Sequence, residues 1–382
     1  MVLFPTTRTP RRDSVHLVHL SHASMPHISP RDMNRRRFIS ALPAVAAFPV
    51  AAKALGLGEA TPAPSPDIVT PRALIRPRGL RSGMTIGIVS PASGTSTSDV
   101  RDFVSFCQQR GMRVRFGENI SKRVGYLSAP DDARAREFMA FVEDPAIDAI
   151  VCARGGYGVM RILPMLDFTA IRQAGKLIMG FSDITALLIA VHQISRVVTF
   201  HGPVASSTFD AFTTTSLVSM TVADPAPSSE PLSYTDRSVT TIAPGMARGK
   251  LTGGNLAMIV STLGTKYEID TTHALLFLEE ISEEPYRIDR MLTQLWLAGK
   301  LQTCTGIAIG SFRDCESKGA GIPGPSMTLR QVLDDRLGPL GIPVVYGLPF
   351  GHVRSKLTLP IGVYGELDAS ARSLRVLESA VE

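Results

Sequence analysis

The 382-residue chain has four cysteines, Cys107, Cys152, Cys304 and Cys315, and none lies in a C-x-x-C pair or a zinc-ligand spacing. That pattern disfavours a structural zinc site and a dithiol redox centre. Cys152 stands in an apolar run and reads as a buried free thiol. A Cys304–Cys315 disulfide stays open for an oxidising compartment, and spacing alone does not decide it. Histidine is scarce too: beyond residue 80 only His192, His201, His273 and His352 remain. There is no H-E-x-x-H, so a zinc peptidase is disfavoured. No serine precedes any lysine by three residues, which removes the S-x-x-K nucleophile. There is no Walker loop, and Gly155-Gly156-Tyr157-Gly158 matches neither that loop nor a G-x-G-x-x-G. No long apolar run is present. The Ala-rich stretch 41–54 is broken by Pro43 and Pro49, too short for a span of about 20 residues.

The body also lacks an excess of either charge. The net charge is +6, but residues 1–80 hold 11 of the 40 basic groups and 4 of the 34 acidic ones. The leader therefore carries +7 and the remainder −1, which argues against a general nucleic-acid binder. Hydrophobic residues make up 44% and charged residues 19%, a composition that buries a large core. Within the leader, Arg35-Arg36-Arg37 precede Phe38, Ile39 and the weakly apolar stretch, as in a twin-arginine (Tat) export signal. The expected organisation is a leader over 1–58, cleaved on export to the periplasm, and a Pro-rich linker over 59–80. Residues 1–32, before Met33, are expected to be untranslated or unstructured.

The body alternates strands and helices. Apolar runs predict strands at 84–89, 112–116, 149–152, 177–179 and 197–200, with helices at 99–110, 131–142, 159–166 and 183–194. This is an α/β pattern with a parallel sheet over 81–205, whose sites form beyond the carboxyl ends of the strands. Ser90, the loop from Arg154 to Gly158, Ser182 and His201 all fall there. Residues 206–246, rich in Ser, Thr and Pro with no clear helical period, read as an interdomain connection. A second, mixed α/β unit with short strands spans 247–382.

Ser182 follows an apolar strand and precedes a helix, in Gly180-Phe181-Ser182-Asp183-Ile184-Thr185. That position offers a hydroxyl beside free helix N–H groups suited to an oxyanion. A plain helix N-cap explains the same serine, and Ile184 breaks the G-x-S-x-G elbow. Glu279 and Glu280 end an apolar strand. They can orient a histidine or simply face solvent. His352 follows Gly351 near another apolar segment and is either structural or a general base. A serine needs such a base, and the base an orienting acid.

Taken together, six blocks occur in order: Arg154 to Gly158, Gly180 to Thr185, Gly253-Gly254-Asn255-Leu256, Leu278-Glu279-Glu280 through Arg290, Gly351-His352, and Thr358-Leu359-Pro360-Ile361-Gly362. Over residues 81–378 the chain resembles the LD-carboxypeptidases, the muramoyl-tetrapeptide carboxypeptidases. The resemblance implies a Rossmann-like N-terminal domain, a β-rich C-terminal domain, a site between them, and a homodimer. It implies Ser182 as nucleophile, His352 as base and Glu279 as its orienting acid. The expected chemistry is acyl transfer to water, releasing D-alanine from a muropeptide, without metal or organic cofactor. Backbone N–H groups at Asp183, Gly155 and Gly156 are expected to form the oxyanion hole. Tyr157 and Asn255 are weaker candidates for substrate contact, and Arg287 and Arg290 for acidic groups or for surface ion pairs. Familiar members are cytoplasmic, whereas this leader points outward. Two alternatives stay open: a serine hydrolase of another amide, such as a microcin-type peptide-nucleotide, and a periplasmic ligand-binding protein.

Overall fold

The computed structural model describes residues 72–222, 238–317 and 326–382, together with the backbone of 234–235. The Arg35-Arg36 leader and most of the Pro-rich segment lie outside the described residues. Strands β1 (Thr85–Val89), β2 (Arg113–Phe116), β3 (Ala149–Cys152), β4 (Leu177–Gly180) and β5 (Thr199–His201) form a parallel sheet in the order β2-β1-β3-β4-β5. Helices α1 (Arg101–Gln109), α2 (Asp131–Glu143), α3 (Val159–Ile162), α4 (Phe168–Ala174) and α5 (Thr185–Ala190) connect them. The central strands β3 and β4 are buried at every position. This is why their sequences are unbroken apolar runs rather than alternating ones. The order reverses between β1 and β3, the place where such sheets open a ligand crevice.

Two helices depart from the sequence expectation. The single helix expected over 159–166 ends at Ile162 and passes into a tight turn, Leu163–Met165, containing Pro164. The Asp167 carboxylate then accepts from the N–H groups of Thr169 and Ala170 and starts α4 afresh. The second departure is α6 (Ala211–Thr221), inside the stretch read as a connection without helical period. Asp210 caps it through the Thr213 N–H, and its buried face carries hydroxyls where aliphatic groups would give a period. Thr213 Oγ1 accepts from the Lys356 N–H and Ser216 Oγ from the Thr358 N–H, at 3.1 and 2.8 Å.

The second sheet contains β6 (Tyr234–Thr235), β7 (Thr240–Ala243), β8 (Met246–Asn255), β9 (Ala274–Ile281), β10 (Gly306–Arg313), β11 (Val344–Tyr346), β13 (Tyr364–Asp368) and β14 (Ser373–Val376), in the order β6-β14-β13-β8-β9-β10-β11-β7. The four central strands β8 to β11 are parallel and their flanks antiparallel. Thus residues 206–246 also supply two strands to this sheet. One face packs on α7 (Leu256–Ser261), α8 (Pro285–Leu297) and α9 (Leu329–Leu337), and the other joins the core of the first sheet. β12 (Leu359–Ile361) crosses back and pairs antiparallel with β5, Leu359 opposite His201, so the chain's C-terminal part closes the edge of the first sheet. All four cysteines are free and buried, so Cys304 and Cys315 are not bridged. Burial pushes their thiols up to about 12 and about 11, respectively, keeping both protonated at neutral pH.

Candidate active site

Side chains alternate across β9. Leu275, Phe277 and Glu279 face the first sheet, while Leu276, Leu278 and Glu280 face the helices. This alternation decides which of two adjacent acids meets the histidine. Glu280 turns away and is consumed structurally: it accepts from Asn255 Nδ2 and from the N–H groups of Ala257 and Ile281. Glu279, fully buried, accepts from His352 Nδ1–H at 2.6 Å. On its other side His201 Nε2 lies 3.9 Å from Glu279 Oε1, too long for a direct hydrogen bond. His201 is held edge-on against Phe181, Phe277 and Phe350. Burial pushes the Glu279 carboxyl up, but the two imidazoles beside it outweigh that and hold it down to about 2. The ionised carboxylate only accepts hydrogen bonds, so it fixes the proton on Nδ1 of His352 and leaves Nε2 for a second partner.

Gly351 makes this approach feasible. Its φ of +90° suits glycine, and a Cβ there would sit 2.5 Å from Glu279 Oε2. The turn after Gly351 delivers His352 to a cleft of about 710 Å³, which Ser182 also lines. Phe181, the residue before Ser182, meets the His352 ring edge-on at 4.9 Å.

Ser182, two residues beyond β4, has φ of +65°, a left-handed backbone that costs a side-chain-bearing residue about 1–3 kcal/mol. Phe181 before it is extended and the helical turn Ser182–Ile184 follows at once. The strained strand-turn-helix of a nucleophile elbow is therefore present without its second glycine. The first is indispensable, since a Cβ on Gly180 would meet the Ile184 side chain at 2.7 Å. The N–H of Asp183 lies in the first helical turn, where no preceding carbonyl of the helix can reach it. Gly155 packs against Ser182 so tightly that a Cβ there would stand 3.1 Å from Oγ. Gly155 and Gly156 both line the cleft with it.

The Asp183 side chain has a different task from its backbone. It is buried, accepts from the Val159 N–H at 2.9 Å, and so pins the Arg154–Gly158 loop to the serine turn. Burial raises its carboxyl pKa. Arg134 braces the same loop. Its wholly buried guanidinium donates to the carbonyls of Ala129, Pro91 and Gly158 and pairs with Asp131. Sequence reasoning passed over Arg134. Its signal was a charge on the apolar stripe of α2, in register with Phe138 and Phe141.

Four other candidates are not in the cleft wall. Asn255 is buried, caps α7 through the Met258 N–H, donates to Glu280, and receives no share of the cleft. Its backbone N–H donates to Thr185 Oγ1 across the two sheets, so its role is to join them. Tyr157 stands exposed beyond Gly156, edge-on to Tyr126 at 5.0 Å. Arg287 and Arg290 lie exposed around Tyr286 on α8, and Arg287 pairs with Glu283 at 3.6 Å. The cleft does carry a residue that was not anticipated, the buried Lys356.

Comparison with known proteins agrees with this architecture. The LD-carboxypeptidase N-terminal domain matches residues 86–202, and the LD-carboxypeptidase C-terminal domain matches 248–367. A Bacillus subtilis protein named "Probable murein peptide carboxypeptidase" is 36% identical over 311 residues, covering 80% of this chain and 95% of its own length. The crystal structure of a muramoyltetrapeptide carboxypeptidase from Oxalobacter formigenes superposes with a TM-score of 0.67 at 30% identity, covering 78% of this chain and 99% of that one. The Escherichia coli microcin C7 self-immunity protein MccF is 27% identical over 331 residues, covering 78% of this chain and 94% of its own. Both domains are present in order across nearly the full length of these relatives, and the chain belongs to the LD-carboxypeptidase family.

Proposed function

We propose that this protein is a serine carboxypeptidase that removes the C-terminal D-alanine from murein tetrapeptides by cleaving the LD bond. The observation that carries the reading is the hydrogen-bonded Glu279–His352 pair opening onto the same cleft as the strained Ser182. Support for the substrate comes from the relatives named as murein peptide and muramoyltetrapeptide carboxypeptidases.

In this mechanism His352 Nε2 takes the Ser182 proton as Oγ attacks the carbonyl carbon before the terminal residue. Glu279 holds the Nδ1–H and stabilises the imidazolium that forms. The N–H of Asp183, with those of Gly155 and Gly156 as further candidates, receives the charge developing on the carbonyl oxygen. His352 then protonates the leaving amine of D-alanine, and water repeats the sequence on the acyl-serine.

A second reading, hydrolysis of a peptidyl nucleotide, draws on the similarity to MccF. The two separate by offering the purified protein a murein tetrapeptide and aspartyl sulfamoyl adenosine, the ligand of a solved MccF structure. The expected outcome is rapid D-alanine release with little or no cleavage of the nucleoside compound. The reverse ranking would favour the second reading, and tight binding without cleavage would favour a binding protein.

The same proposal places the enzyme outside the cytoplasm, as a homodimer. Arg35 and Arg36 before the weakly apolar stretch motivate the export route. Replacing both with lysine is expected to leave the protein in the cytoplasm with unchanged thermal unfolding. Undiminished periplasmic delivery would remove the route. A single-chain mass by light scattering would remove the dimer.

A further inference from the structure

Lys356 is the one cationic group of the cleft wall that is buried. Only 5% of it is exposed, whereas Arg154, Arg313 and Arg354 on the same wall are open to solvent. A buried ammonium is costly unless a partner offsets the lost hydration. Among the described residues no carboxylate lies within ion-pair distance of its Nζ, and its neighbour is the Phe181 ring, 4.2 Å from Nζ to the centroid. The charges facing it at longer range are Glu279 on β9, Asp210 at the start of α6 and Arg313 at the end of β10. The backbone is fixed firmly. The Lys356 N–H donates to Thr213 Oγ1, and Ser355 Oγ donates to Asp210 Oδ2 at 2.5 Å, so α6 holds both residues in place. The fold therefore maintains a largely buried cation at the cleft, set against an aromatic face and with no carboxylate partner among the described residues.

Its position relative to the reacting groups is set by Phe181. That ring carries Lys356 Nζ, meets His352 edge-on at 4.9 Å, and belongs to the residue before Ser182. In a carboxypeptidase substrate the terminal carboxylate lies one residue beyond the scissile carbonyl, a reach of about 3.5 Å. A cation sharing one aromatic ring with the serine–histidine pair is at the right range for that group.

We propose that Lys356 is the specificity residue that pairs with the substrate's terminal carboxylate, so that the cleft selects peptides with a free C-terminus. Binding supplies the missing counter-charge, and the exposed arginines of the rim contribute less because water screens them. Burial lowers the ammonium's pKa to about 8, opposed by Glu279 and Asp210. The charged form thus predominates below pH 8 and is lost as pH rises through that value.

This inference rests on the carboxypeptidase reading, and one experiment separates their failures. Wild type, Lys356→Met, Lys356→Arg, Arg154→Gln and Arg313→Gln are each offered an LD-linked tetrapeptide acid and its C-terminal amide, with thermal unfolding recorded alongside. The same two peptides are titrated into Ser182→Ala protein with and without Lys356→Met, which reads affinity without turnover. Wild type is expected to prefer the acid by roughly 100-fold in kcat/KM, as for a charge-assisted contact in a desolvated site. Lys356→Met should abolish that preference by slowing only the acid, and Lys356→Arg should restore part of it. The acid preference of wild type should also shrink above pH 8 while the amide rate does not follow it. Equal affinity of the Ser182→Ala protein for acid and amide would overturn the proposal whether or not wild type cleaves either peptide. So would a preference that survives Lys356→Met and disappears in Arg154→Gln or Arg313→Gln. Absence of cleavage by wild type, with selective binding of the acid intact, would instead overturn the carboxypeptidase reading and leave the Lys356 contact supported.

Discussion

His352→Ala is expected to lower kcat for D-alanine release by roughly 10⁴–10⁶, the range seen when the base of a serine–histidine pair is deleted. Affinity for the tetrapeptide should change only modestly, since the imidazole acts mainly on the transition state. Glu279→Gln should lose roughly 10²–10⁴. The glutamine keeps the volume of a fully buried side chain but removes the negative charge that steadies the imidazolium. It can also present its amide N–H to Nδ1, which would enforce the wrong tautomer. The double variant should be scarcely slower than His352→Ala alone, because a carboxylate that acts through a histidine has nothing to orient once the ring is gone. Steady-state rates for the three proteins check this. A Glu279→Gln loss that adds in full to the His352→Ala loss would place Glu279 outside the catalytic unit, as a structural acid only. Glu280→Gln is a useful contrast. Its side chain faces the helices and holds the start of α7, so it should affect stability before turnover.

Much of the site was legible because it sits on strand ends, and strand ends are marked by apolar runs that stop. Ser182, Glu279 and the Arg154–Gly158 loop were all located in this way. The choice of Glu279 over Glu280 came from the family resemblance; its physical reason is the pleat of β9 and its two differently covered faces, which an unbroken apolar run does not show in sequence. The elbow at Ser182 was obscured because Ile184 breaks the two-glycine pattern, while one glycine and a strained serine give the same turn. Helix α6 was missed because its packing uses hydroxyl-to-backbone bonds from Thr213 and Ser216, which leave no apolar period. Asn255 beside two glycines looked like part of a cleft but acts as a cap and a link between sheets. Lys356 could not be found from composition, because its distinction is burial without a carboxylate partner among the described residues, a property of the fold alone.

The central claim is that Ser182 Oγ is the attacking atom. Single-turnover release of D-alanine from an LD-linked tetrapeptide, with peptide affinity measured in parallel, tests it most directly in Ser182→Ala. The change deletes one hydroxyl from a half-buried residue and leaves the Gly155–Gly156 wall, His352 and Lys356 in place. The account predicts a rate lower by roughly 10⁴–10⁶, with affinity within a few-fold of wild type. Release at or near the wild-type rate in Ser182→Ala would contradict it.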